Sequence, residues 1–458
     1  MKIDLLLKNG QVVFPYEGIL RCDIGVEKGK IVGIYADRNE PEAKRVIDVK
    51  EKFVLPGMID SHTHIGMGSN IENEYESESR SAAIGGITTL MSYTNCADSY
   101  HDHYQNEKKV GEERSIIDFS LHFGLMNEKH LKEIPKYIEE FGVSSFKFFM
   151  NFRGEEGKYM GVEGIDDGFM FDCFAALAKY PLSCAVIHAE NIEVGWKLRD
   201  KLIAAGRDDL MAWNESKPDF IETEAIQRAI FYGEVTNCQI YIAHVTTKDG
   251  LEVVRNHKKK NGRVYCESCP HYLTFNTRSG LGSLGKTNPP LREQSDLEAL
   301  WQGVADGSID AVTSDHVGRK KEKKIGTIWK ASGGFPGVAT TLPILLSEGV
   351  NKRGLKIERI AEMNYNTAKI FNLYPRKGTI RIGSDADFTI VDLDLGKTLK
   401  VEDLKSACDY SLYEGWNIKG WPIMIIVRGE VIMDHGEIMG KPGYGIFLNR
   451  SVPKNIPR

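Results

Sequence analysis

No apolar run in the sequence is long enough to cross a membrane. The longest, such as Trp421 to Val427, fall far short of the about 20 residues a spanning helix needs. An excess of one charge is missing too. The formal net charge is −5, so there is no basic footprint for nucleic acid and no polybasic face for an anionic membrane. A disulfide framework is also absent. Eight cysteines, at 22, 96, 173, 184, 238, 266, 269 and 408, show no tight repeated spacing. A chain of 458 residues buries enough surface to do without one. Cys266 and Cys269 form a CxxC. A zinc site of that kind needs further ligands and a redox motif needs a thioredoxin-like setting, so the pair reads as small residues near a strand end. Met1 to Gly10 carries a lysine but no apolar core of secretory length. A cytoplasmic protein is expected.

What is present is ordinary for a globular protein: 41% hydrophobic and 27% charged residues. The length predicts two structural units. Both ends of the chain read as short strands and turns. Leu5–Lys8, Asn9-Gly10 and Gln11–Phe14 suggest one hairpin. Asp23–Glu27, Lys28-Gly29-Lys30 and Ile31–Ile34 suggest a second. The texture returns at Phe388–Val391 and at Met424–Val427, Arg428-Gly429-Glu430 and Val431–Met433. Neither end alone has enough strands for a stable sheet. Residues 1–53 and 376–458 are therefore expected to form one composite β-sandwich domain.

The middle, 54–375, alternates short apolar runs with helical stretches such as Glu222 to Tyr232. Eight strand-like runs are expected: Val54–Ile59, Ile87–Tyr93, Phe119–Phe123, Ser145–Phe149, Ala185–Ile187, Ile240–Ala243, Arg263–Cys266 and Ala311–Thr313. Eight strands with helical crossovers predict an α/β fold of the (β/α)8 TIM-barrel type. A doubly wound sheet would ordinarily carry a Gly-rich phosphate loop after its first strand, and none is there.

Barrels of this kind work at the C-terminal ends of their strands. There the sequence repeats one theme. Asp60-Ser61-His62-Thr63-His64 follows the first run, and Lys147 lies within the fourth. His188 follows the fifth, His244 the sixth and Asp315 the eighth. His62 and His64 are two apart, so a strand points both to one face. Imidazole and carboxylate suit zinc and similar divalent ions. Lys147 is the odd member. Phe146, Phe148 and Phe149 crowd it, and burial disfavours a charged amine. A neutral amine can take up CO2 and become a carbamate, a carboxylate on a long stem.

The run Val54 to His64 (VLPGMIDSHTH) resembles the signature of the amidohydrolase superfamily. FKFFM, HAEN, AHVT, CESCPHYL, NPPLR and TSDH resemble the hydantoinase and dihydropyrimidinase family, as do Asn366–Phe371 and Tyr374–Thr379. This resemblance implies two divalent ions, zinc in the family. His62, His64 and Asp315 would hold one and His188 and His244 the other, with carbamylated Lys147 bridging them. It implies that a hydroxide shared by ions roughly 3.5–4 Å apart attacks a cyclic amide or ureide. Asp315 would be the general base that passes the proton to the leaving nitrogen. The expected partner is a small cyclic amide, and a homo-oligomer, tetramer or dimer, is implied as well.

The match departs at the substrate. A tyrosine is common in the family where Phe152 stands, serine where Asn288 stands and asparagine where Gly333 stands. These three positions are the candidate substrate contacts. The departures resemble those of L-selective hydantoinases, so a hydantoin-like ring is expected. An allantoinase or dihydroorotase is the near alternative. A one-metal deaminase has no use for Lys147. A non-catalytic scaffold would have lost ligands that are all present here. Two stretches remain ambiguous. Arg319–Lys324 reads as a solvated charge run that could be a lid, and Met67–Glu78 as an exposed loop where substrate gates fall.

Overall fold

The computed structural model describes residues 2–36, 39–159 and 164–451. Positions 1, 37–38 and 452–458 of the expected composite domain lie outside the described residues. The chain packs as two compact units. One comprises Met1–Met91, Lys109–Ser120 and Gly337–Leu448; the other comprises Ser92–Lys108, Leu121–Pro336 and Asn449–Arg458.

The strands begin with β1 (Ile3–Phe14), β2 (Gly18–Glu27), β3 (Lys30–Tyr35), β4 (Ala43–Asp48) and β5 (Phe53–Pro56). Then come β6 (Met58–His64), β7 (Ile87–Thr94), β8 (Asp118–Gly124), β9 (Ser145–Phe149), β10 (Cys184–His188), β11 (Ile240–Ile242) and β12 (Val264–Ser268). The last are β13 (Ala311–Val312), β14 (His316–Val317), β15 (Phe388–Thr398), β16 (Asn417–Val427), β17 (Glu430–Asp434) and β18 (Glu437–Ile438).

The first sheet runs β18-β17-β16-β15-β5-β1-β2-β3, with β4 beside β1. It draws its strands from both ends of the sequence. Its neighbours are mostly antiparallel, β1 with β4 and with β5 being parallel. Leu5, Val12, Ile24, Val54, Phe388, Ile390 and Ile426 form its core. Burying each such side chain is worth about 1.5–3 kcal/mol. The turns at Lys28-Gly29 and Arg428-Gly429 form as expected. Asn9-Gly10 does not turn the chain. It is an irregularity inside the single strand β1, with Asn9 at φ 57° and its N–H donated to Asp23 Oδ1 at 2.8 Å. Side-chain capture of that N–H replaces the ladder bond that the irregularity breaks.

Beside this sheet lies a buried ionic knot. Lys377 Nζ is 2.5 Å from Asp118 Oδ2 and 3.1 Å from Asp385 Oδ2, and it also bonds Asp387. Asp387 in turn accepts the N–H of Arg428 at 2.8 Å.

The second sheet runs β13-β12-β11-β10-β9-β8-β7-β6-β14. The pairings from β8 through β13 are parallel. The ends of this path, β13 and β14, are separated only by Thr313, Ser314 and Asp315. They are two halves of one eighth strand, and the fold is a (β/α)8 barrel. β7, β8, β9 and β10 are buried along their whole length, as strands covered on both faces must be. The expected first strand, Val54–Ile59, is in fact two. Phe53–Pro56 pairs with β1 and β15, and Met58–His64 opens the barrel, with Gly57 between them.

Two loop expectations are corrected. From Ile71 the Met67–Glu78 stretch is helix, capped by Asn70. Glu74 of that helix is buried and accepts the N–H groups of Gly66 at 2.5 Å and Gly68 at 2.7 Å. In the Arg319–Lys324 run, Lys320 to Lys323 are exposed as expected, but Lys324 is fully buried. Its ammonium donates to the carbonyls of Lys286, Ser332 and Gly334 at 2.7–2.9 Å. Among the described residues no helix is long and apolar enough to cross a membrane.

Candidate metal centre

His62 and His64 lie on β6, two residues apart, and their ring centres are 5.3 Å apart. Strand alternation gives them one face. Among the described residues, His62, His64 and Asp315 form a group whose ligand atoms all lie within 4.8 Å of one another. That spacing suits three donors around one ion.

Lys147 sits at the centre of β9 and is 1% exposed. Its ammonium lies 4.5 Å from the centre of the Tyr93 ring and 5.5 Å from that of Phe149. Nζ has no hydrogen-bond partner among the described residues. Burial pulls its pKa below the usual lysine range, against the pull of Glu267 and Asp315. A buried amine tending to lose its charge is the form that can react with CO2.

His188 closes β10 and His244 lies two residues beyond the end of β11; their rings are 4.5 Å apart. The His188 ring nitrogen Nε2 is 2.6 Å from Glu190 Oε2. That contact leaves Nδ1 as the nitrogen for an ion. Burial lowers the His188 pKa and Glu190 opposes it, so a neutral, ligating ring is favoured. For Glu190, burial is outweighed by Lys217 and His188, which hold its carboxyl at about 2.

His244 and Asp315 share one more property. Their φ angles are 36° and 49°, in the left-handed region that costs a side-chain-bearing residue of order 1–3 kcal/mol. Two strained residues at matching strand ends fit side chains aimed for a purpose. The donor set therefore fits divalent ions: three close ligand atoms, a pair of imidazoles and a buried amine with no hydrogen-bond partner among the described residues.

The substrate positions fall as follows. Phe152 packs its ring 4.8 Å from that of Phe149. Asn288 Oδ1 accepts from Lys217 at 3.0 Å. Gly333 is its neighbour, since a Cβ there would stand 3.2 Å from Asn288 Nδ2.

Sequence reasoning missed three buried groups. Glu267, on β12, accepts the Tyr241 hydroxyl at 2.8 Å. Burial raises its carboxyl pKa while Lys147 lowers it. Its position at the end of the seventh strand was a usable signal. Glu190, two residues after His188, was a weaker one. Lys217 gave none, because it lies between helices and reaches Glu190 only through the fold.

The residues 215–432 match the model of the amidohydrolase family. Over 458 residues, 98% of each chain, the sequence is 36% identical to an L-hydantoinase of Paenarthrobacter aurescens. It is 33% identical to an allantoinase of Salmonella choleraesuis, covering 98% of this chain and 99% of that one. A solved L-hydantoinase (dihydropyrimidinase) from Arthrobacter aurescens superposes with a TM-score of 0.91 at 35% identity, over 98% of this chain and 100% of that one. The chain belongs to the hydantoinase and dihydropyrimidinase family of amidohydrolases. It is a cyclic amidohydrolase, an enzyme that hydrolyses a C–N bond in a cyclic amide with the aid of metal. In this amidohydrolase Cys266 and Cys269 are buried, and burial lifts the Cys266 thiol to about 12.

Proposed function

We propose that this amidohydrolase opens a hydantoin-like ring to the N-carbamoyl amino acid. Two divalent ions, zinc by family likeness, are held by His62, His64 and Asp315 and by His188 and His244. A carboxylate formed on Lys147 by CO2 would be the remaining ligand. The catalytic domain spans 54–375, and 1–53 with 376–458 form the β-sandwich domain. The enzyme works in the cytoplasm as a homo-oligomer, a tetramer or dimer. The observation that carries the reading is the buried Lys147 amine, whose burial favours the neutral form that takes up CO2. Full-length similarity to an L-hydantoinase favours the hydantoin ring.

When bound, such ions polarise a carbonyl and make water a better nucleophile near neutral pH. The chain's own residues do the rest. Asp315 accepts the proton of the attacking water and returns it to the leaving ring nitrogen. Glu190 fixes the ring orientation of His188. Phe149 and Phe152 keep bulk water from the apolar side of Lys147. Asn288 and Gly333 read the ring's polar edge.

Turnover measured on dihydrouracil, both enantiomers of 5-substituted hydantoins, allantoin and dihydroorotate, with zinc or manganese supplied, tests this. Hydantoin opening is expected to dominate. A preference for allantoin would move the reading to the allantoinase side, where a relative also lies.

A further inference from the structure

Around Asn288 the hydrogen bonds form a line that the metal ligands alone do not require. His188 Nε2 meets Glu190 Oε2 at 2.6 Å, Lys217 Nζ donates to the same oxygen at 3.1 Å, and Lys217 Nζ also donates to Asn288 Oδ1 at 3.0 Å. Glu190 and Lys217 are buried, at 1% and 6% exposure. Lys217 is held from a third side by Trp213, whose ring centre lies 5.0 Å from Nζ. That indole is itself anchored, since its Nε1 donates to the carbonyl of Thr287 at 2.8 Å.

The chemistry of this line fixes the direction of the amide. An ammonium has donors and no acceptor, so the Asn288 atom facing it must be the oxygen. The NH2 therefore points the other way. On that side stands Gly333, where a Cβ would come within 3.2 Å of Nδ2. Glycine puts no side chain of its own against the amide NH2, and the carbonyl of Gly333 accepts Arg319 Nη1 at 2.9 Å. A serine at 288 would present a hydroxyl able to donate or accept. Asn288, oriented by Lys217, presents only a donor. Phe152, by contrast, offers no donor at all.

We propose that Lys217 is a positioning residue that locks Asn288 with its NH2 toward the ring, so that the site selects substrates offering a carbonyl oxygen there. This rests on the ring-opening reading above.

The test is a double-mutant cycle on the full-length, zinc-loaded enzyme with hydantoin as the probe, read by steady-state kinetics and by calorimetric binding. Lys217→Met and Asn288→Ala should each raise KM about tenfold to a hundredfold, with a smaller fall in kcat. The double variant should have a KM no worse than that of Asn288→Ala alone, because Lys217 acts on substrate binding through Asn288. Asn288→Asp keeps the Lys217 contact and removes the donor, so it should lose binding while folding normally. Lys217→Arg should restore most of it. Losses that multiply in the double variant, or a Lys217→Met enzyme with unchanged KM, overturn the proposal. Full binding by Asn288→Asp overturns it too, and does so even if Lys217→Met proves unstable. A wild-type protein that binds hydantoin without opening it overturns the ring-opening reading alone, and the binding cycle still decides the role of Lys217.

Discussion

The Lys147 ammonium lies over the face of Tyr93, 4.5 Å from the ring centre, in a strand whose five residues are all buried. A cation on an aromatic face gains about 2 kcal/mol or somewhat more when desolvated, too little to offset full burial of a charge. Burial thus draws the amine toward its neutral form, against the pull of Glu267 and Asp315. Native mass spectrometry at neutral pH should find one added CO2 on the wild type and none on Lys147→Ala. That variant should lose bound metal, and turnover should fall at least about a hundredfold. Propionate, a free carboxylate small enough for the vacated space, should restore part of both. A wild type of unmodified mass with full activity would remove the carbamate from the site.

Asp315 is asked to do two jobs, and the amide isostere separates them. Asp315→Asn keeps an oxygen for an ion but cannot take a proton. Metal content by atomic emission should stay near that of wild type, while kcat falls by about 10²–10⁴. Activity within a few-fold of wild type would take Asp315 out of the proton path.

How far the site was legible follows from how each residue is positioned. His62, His64, Lys147, His188, His244 and Asp315 sit at strand ends or within strands, where a period of two and a repeated topological place make local sequence informative. Gly57 hid the division of Val54–Ile59, because an apolar run looks the same whether one sheet holds it or two. Asn9-Gly10 looked like a turn because positive φ serves turns and strand irregularities alike. Lys217 and Lys324 were illegible. What makes each matter is a partner tens of residues away, Asn288 for one and the Lys286 carbonyl for the other. Composition cannot tell a buried lysine that caps carbonyls from a solvated one.

The knot around Lys377 makes a stability prediction with a definite sign. Burial alone would raise the Asp385 carboxyl, but Lys377, Lys30 and Arg376 hold it down at about 2. A carboxyl depressed in the folded state adds stability above its unfolded pKa, near 4, and loses it as pH falls through the folded value. Acid unfolding followed by circular dichroism should therefore steepen between about pH 4 and 2. Asp385→Asn should flatten that limb while leaving the neutral-to-alkaline side nearly unchanged. Lys377→Met should be far worse, costing about 3–5 kcal/mol, because it takes the shared ammonium from buried Asp387 and leaves buried Asp118 with Arg428 alone. An Asp385→Asn acid limb identical to wild type would show that the depression is absent.

Gly57 links β5 to β6, and the strand it starts carries His62 and His64. A Cβ there would stand 2.5 Å from Thr88 Oγ1 and 2.6 Å from Asp387 Cβ, closer than side-chain atoms come. Its own N–H donates to the Asp387 carbonyl at 2.9 Å, so the backbone cannot slide away without breaking that bond. Gly57→Ala must push β6 or Asp387 aside. Overpacking of this kind costs about 1–3 kcal/mol. Because β6 is short and ends in the ligand pair, a shift at its start should reach His62 and His64. Urea denaturation should show the loss of stability, and zinc titration of the folded variant should show weaker binding. Lost stability with unaltered zinc affinity would mean that the strand yields at Asp60 or Ser61 and that the ligand pair is held from its far end.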